Sequence, residues 1–84
     1  MYYVYILENE VRCHYIGYTT NLSKRIKGHN SSKSRWTKKK GPWHLVYMEE
    51  HSTKKDAYLR ERQIKKYKGG EVFKELLAKG ISNG

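Results

Sequence analysis

The chain has a single cysteine, Cys13, among its 84 residues. That excludes an internal disulfide and suits a reducing compartment such as the cytoplasm. Apolar residues are also scarce, at 37%. Their longest run falls far short of the roughly 20 residues that span a bilayer, and no leader precedes the first apolar stretch, so a soluble cytoplasmic protein is expected. Acidic residues are few as well, eight against eighteen Lys and Arg, for a formal net charge of +10. Fifteen of those eighteen cations fall between Lys24 and Lys68. A basic excess so concentrated implies a polyanionic partner, most simply nucleic acid. A membrane surface fits less well, because no predicted helix joins a basic face to a broad apolar one.

This length predicts one domain over residues 1–80, with 81–84 as a flexible tail. Near its start, Tyr2-Tyr3-Val4-Tyr5-Ile6-Leu7 and His14-Tyr15-Ile16-Gly17-Tyr18 are β-branched and aromatic, which predicts an antiparallel hairpin. With Glu8 to Arg12 as its loop, Leu7 faces Cys13, Tyr5 faces Tyr15 and Tyr3 faces Gly17. Alternation then puts Tyr3, Tyr5, Tyr15 and Gly17 on one face, and Val4, Ile6 and Ile16 on the other. Two phenols stand side by side there, next to a glycine that leaves room for a large ligand.

Thr19-Thr20-Asn21 can cap a helix over residues 22–29. Leu22, Arg25, Ile26 and His29 form one stripe of it, which carries Arg25 and His29 inward beside the phenols. That is a phosphate-binding set of side chains; the alternative is an arginine that snorkels and a histidine that closes the helix end. Lys24 lies on the same helix. Residues 30–42 read as a long basic loop. Lys33, Arg35, Lys38, Lys39 and Lys40 suit backbone phosphates, and Trp36 either stacks on an unpaired base or pins the loop to the sheet. Trp43 to Glu49 predicts a third strand, with Trp43, Leu45 and Tyr47 on one side, and a place at the centre of the sheet.

A second helix runs to about Lys68, capped by Ser52 or by Thr53 with Asp56 three residues on. Ala57 and Ile64 mark its inner stripe, Glu61 lies between them, and Arg60, Arg62, Lys65 and Lys66 spread charge around it. A carboxylate on an apolar stripe is costly unless partnered. Glu61 therefore either pairs with a cation such as Arg25 or binds a metal. Gly69-Gly70 interrupts the chain, and a last helix over 71–79 turns Val72, Phe73, Leu76 and Leu77 inward before Gly80 ends it. A zinc site from Cys13 and the four histidines is disfavoured, because no pair has ligand spacing.

Tyr3-Val4-Tyr5 followed by Tyr15-Ile16-Gly17, with Arg25 and His29 on the next helix and Glu61 on a later one, resembles the GIY-YIG nuclease motif. The resemblance covers essentially the whole chain and is greatest to small stand-alone bacterial members. It implies an α/β (α+β) module, a three-stranded antiparallel sheet flanked by about three helices. It also implies metal-dependent hydrolysis of DNA phosphodiester bonds, in repair or processing, with low intrinsic sequence specificity. Under the resemblance Glu61 holds one divalent cation, Mg²⁺ or Mn²⁺; Tyr5 and Tyr15 orient and activate the attacking water. Arg25 grips the phosphate, and His29 assists in proton transfer or phosphate binding. Gly17, Lys24, Arg62 and Lys65 join the loop residues in contacting nucleic acid. A monomer is expected, with a partner protein supplying specificity. The competing reading is a nucleic-acid-binding module of the same fold with little catalysis, against which a carboxylate facing phosphate argues.

Overall fold

The computed structural model describes residues 1–30 and 42–80. The loop residues Lys33, Arg35, Trp36, Lys38, Lys39 and Lys40 and the tail 81–84 lie outside that range. Three strands, β1 (Tyr2–Glu8), β2 (His14–Thr19) and β3 (His44–His51), form an antiparallel sheet in the order β2-β1-β3. Among the described residues three helices accompany it, α1 (Leu22–His29), α2 (Lys54–Tyr67) and α3 (Glu71–Lys79). The α/β class and the three-stranded sheet are as the sequence predicts, but the strand order is not. β1 is central, not β3. Val4, Tyr5, Ile6 and Leu7 are all fully buried, because only the middle strand is covered on both faces and flanked on both edges.

The hairpin register also differs. Tyr5 pairs with Gly17, Leu7 with Tyr15 and Glu8 with His14, two residues along from the expected pairing. The cause is Asn9. Its buried side-chain oxygen accepts hydrogen bonds from the Val11 amide at 3.1 Å and the Cys13 amide at 2.8 Å. The connection thus runs from Asn9 to Cys13, with Arg12 in the left-handed region at φ 63°. Because the slip is an even number of residues, the faces keep their membership.

A bulge between Ile6 and Leu7 changes the third strand as well: Ile6 pairs with Tyr47 but Leu7 with Leu45. The extra residue reverses the alternation. Trp43 and Leu45 pack with Tyr5 and Leu7 on one face, while Tyr47 packs with Val4 and Ile6 on the other, so the expected common side for Trp43, Leu45 and Tyr47 is corrected.

The two faces carry separate cores. Val4, Ile6, Ile16 and Tyr47 pack with Ala57 and Ile64 of α2 and Phe73 and Leu76 of α3. Tyr5, Leu7 and Trp43 pack with Tyr15, Leu45, and Leu22 and Ile26 of α1. Val72, expected inside, is 44% exposed, because the buried side of α3 is narrower than its apolar sequence.

Caps fall where the sequence places them. Asn21 accepts from the Lys24 amide at 3.1 Å and Thr53 from the Asp56 amide at 3.1 Å. Among the described residues no helix is long and apolar enough to cross a membrane.

Candidate active site

The site forms around the free edge of β2, where the two layers meet. From one face come Tyr5, Tyr15, Arg25 and His29. From the other comes α2, with Lys54, Glu61 and Lys65. Tyr15, Ile16, Gly17, Tyr18, Thr19, Arg25, Lys54, Glu61 and Lys65 line an open groove of about 440 Å³. β2 is an edge strand of the sheet, and its residues Tyr15 to Thr19 form the floor of the groove.

Tyr5 is the hub of the α1 side. Its hydroxyl is hydrogen-bonded to His29 Nε2 at 3.1 Å and accepts from Arg25 Nε at 3.2 Å. The Tyr5 and Tyr15 rings stack at 6.3 Å and 25°, and the Tyr15 ring leans on His29 at 4.3 Å. Both phenols raise the already high pKa of the Arg25 guanidinium, Tyr5 foremost, so it stays charged. The expectation that Arg25 turns inward is corrected. The residue is exposed and arches over the phenols, because its long side chain reaches them from the helix surface while its head stays wet. His29 does turn inward and is buried.

Gly17 is also read differently in three dimensions. A Cβ there would lie 2.8 Å from the Tyr5 hydroxyl oxygen and 3.1 Å from Tyr15 Cε1. The space beside the glycine is filled by the two phenols, not held open for a ligand.

Electrostatics separate the tyrosines. Burial pushes the Tyr5 phenol up to about 12, and the nearby Arg25 charge only partly offsets this. At neutral pH about one Tyr5 in 10⁵ is ionised. Tyr15, half-buried, lines the groove that Tyr5 does not reach. The His29 imidazole is held below its usual range by burial and then by the Arg25 charge, so it is neutral at pH 7. Its Nδ1 is buried without a hydrogen-bond partner among the described residues.

Glu61 presents its carboxylate to the groove with the side chain 13% exposed. The expected pairing with Arg25 is corrected: the carboxylate bonds Lys65 Nζ at 2.7 Å, one turn along its own helix, where the shorter reach wins. Among the described residues no group of three or more His, Cys, Asp or Glu side chains could hold an ion. One hard oxygen ligand in an open groove nevertheless fits Mg²⁺ or Mn²⁺, which keep waters and take further oxygens from phosphate.

The remaining predicted contacts are dispersed. Lys24 is exposed on α1, and Arg62 lies on the outer side of α2, donating to the Tyr58 hydroxyl at 3.0 Å. Lys54 was not anticipated, although its spacing, seven before Glu61 and eleven before Lys65, puts the three on one side of the helix. A second polar cluster was not anticipated either. Glu49 accepts from Arg60 Nε at 2.6 Å and from the Tyr47 hydroxyl, and is hydrogen-bonded to His51 Nε2 at 2.9 Å. Burial pushes this carboxylate up, but the bonds outweigh it and hold it below the usual range. The cluster ties α2 to β3, and with it the neighbouring Glu61.

Comparison with known proteins gives the chain a family. The model of the GIY-YIG catalytic domain matches residues 1–72, and the chain belongs to that family, which is one of nuclease domains. Its relatives are small proteins of similar length. A UPF0213 protein of Clostridium perfringens is 40% identical over 82 residues, 96% of this chain and 88% of the relative. Another, of Staphylococcus haemolyticus, is 40% identical over 76 residues, 89% of this chain and 93% of the relative. The solution NMR structure of a UPF0213 protein of Bacillus halodurans superposes with a TM-score of 0.53 at 38% identity, covering 93% of this chain and 83% of that one.

Proposed function

We propose that this chain is a divalent-metal-dependent endonuclease that hydrolyses DNA phosphodiester bonds, in repair or processing, with low intrinsic sequence specificity. The observation that carries the reading is the one carboxylate, Glu61, set in a groove whose other charged side chains, Arg25, Lys54 and Lys65, are all cations. A surface built only to bind phosphate gains nothing from that negative charge.

Arg25, charged and exposed above the phenols, neutralises a non-bridging phosphate oxygen as negative charge builds on the oxygens around phosphorus. Lys54 and Lys65 hold the adjoining backbone. Of the two stacked phenols, Tyr15 is the one that touches the attacking water, since it lines the groove and Tyr5 does not. Tyr5 stays neutral and buried and acts as a positioning residue, fixing Arg25 above it and His29 behind it. His29 positions in turn, through Tyr5 and the Tyr15 ring, and does not contact phosphate. Glu61 holds the cation, which when bound supplies charge stabilisation for the leaving oxygen. The loop cations Lys33, Arg35, Lys38, Lys39 and Lys40, with Trp36, extend the nucleic-acid contact according to their sequence. On this reading residues 1–80 act as one catalytic domain.

The test is cleavage of labelled duplex, single-stranded and branched DNA with Mg²⁺, Mn²⁺ or EDTA, beside Glu61→Gln. Nicking that needs metal and disappears in the variant is the expected result. Tight binding without cleavage on every substrate would favour the binding module.

A further inference from the structure

Among the described residues Glu61 has one ion pair, and its partner is unequally placed. The Glu61 side chain is 13% exposed and set against the sheet edge, whereas that of Lys65 is 54% exposed. The carboxylate is fixed; the ammonium sits at the end of a long, wet stem. Both line the same groove as Arg25 and Lys54. The ammonium bonds one oxygen of the carboxylate, Oε1, so a divalent cation on either oxygen competes for the same negative charge and repels the ammonium at close range. A half-exposed pair one helical turn apart is cheap to open.

We propose that Lys65 couples metal binding to nucleic-acid binding by exchanging one anion for another. Without metal, its ammonium sits on Glu61 and neutralises a charge that would otherwise be poorly solvated. When a cation takes that carboxylate, the ammonium is released at the groove rim, within its stem's reach of any phosphate lying between Arg25 and Lys54. The converse holds by linkage: a phosphate that draws Lys65 away uncovers Glu61, so nucleic acid strengthens metal binding by the same factor. This rests on the metal-dependent reading above and adds a specific carrier for the coupling. A phosphate that itself ligates the cation also couples the two, so the test concerns the part lost with Lys65.

Mn²⁺ affinity is measured from the electron paramagnetic resonance of the free ion, first without DNA. Lys65→Ala is expected to bind Mn²⁺ about threefold tighter than wild type, the scale of a released half-exposed ion pair. Lys54→Ala removes the same charge from the same groove without touching Glu61, and should change the affinity much less. Affinity for a phosphorothioate duplex is then read by anisotropy in Mn²⁺ and in EDTA. The ratio of the two should be larger for wild type than for Lys65→Ala. Equal Mn²⁺ affinity in wild type and Lys65→Ala, an equal gain in Lys54→Ala, or an unchanged ratio overturns the proposal while metal-dependent cleavage stands. Failure of the wild type to bind Mn²⁺ with or without duplex would overturn both.

Discussion

The hydroxyl oxygen of Tyr5 stands 2.8 Å from the point a Cβ on Gly17 would occupy, so the missing side chain of one strand is where the phenol of its neighbour ends. That hydroxyl is buried and bonded to His29 and Arg25, and has little freedom to yield. Gly17→Ala is therefore expected to lower stability by about 1–3 kcal/mol through overpacking, and to reduce cleavage by moving Arg25. Wild-type denaturant midpoint and activity in this variant would show that the contact relaxes freely.

The two phenols should separate in mutagenesis. Tyr5→Phe strands the buried His29 Nε2 and is expected to cost about 1–3 kcal/mol of stability along with activity. Tyr15→Phe should abolish cleavage with a smaller loss of stability, since its side chain opens to the groove. Thermal unfolding beside cleavage assays checks both, and the reverse ranking would exchange the roles given to them.

Glu61→Gln should lose cleavage yet bind DNA as well as wild type or better, because it removes both the cation ligand and a charge that repels phosphate. Anisotropy with a labelled duplex decides; a large loss of affinity would make Glu61 a structural residue.

His29 gives stability a pH dependence with a definite sign. Burial lowers its folded value below 6.5, so the unfolded chain takes up the proton first as pH falls. The contribution is complete above 6.5 and declines as pH drops through that value towards the lowered one. Glu49, also held low, adds a further loss only below its usual 4.5. Urea midpoints between pH 8 and pH 5 should fall for wild type and fall less for His29→Gln. Identical slopes would mean His29 is protonated equally in both states.

The triple change Lys38→Ala, Lys39→Ala and Lys40→Ala is expected to weaken DNA binding and flatten its salt dependence by about 0.9 in slope per lost phosphate contact. An unaltered slope would take that segment out of the interface.

Much of the site could be read from residue types and spacing alone. Tyr5, Tyr15, Arg25 and His29 converge because strand alternation and the helical stripe are local rules, and an even register slip leaves them intact. What escaped depended on single side chains or distant partners. Asn9 sets the hairpin register through its own side chain, and a bulge opposite Ile6 and Leu7 leaves no mark in a string of apolar residues. The centrality of β1 follows from which strand receives cover on both faces, which β3 by itself does not announce. Glu61 looked inward for a cation because its stripe is apolar, but Lys65 was nearer, four residues along.

One contact at the edge of the site supports it at one remove. The Asn30 side chain donates to the Trp43 carbonyl at 3.1 Å and accepts from the Trp43 amide at 2.6 Å, imitating a strand pair between residues thirteen apart. The clasp fastens the end of the helix carrying His29 to the residue that opens β3. Trp43 also packs against Tyr5, so one amide side chain holds the partner of that phenol's hydroxyl and the wall behind its ring at the same time, and a slackening at Asn30 would reach Tyr5 from both sides.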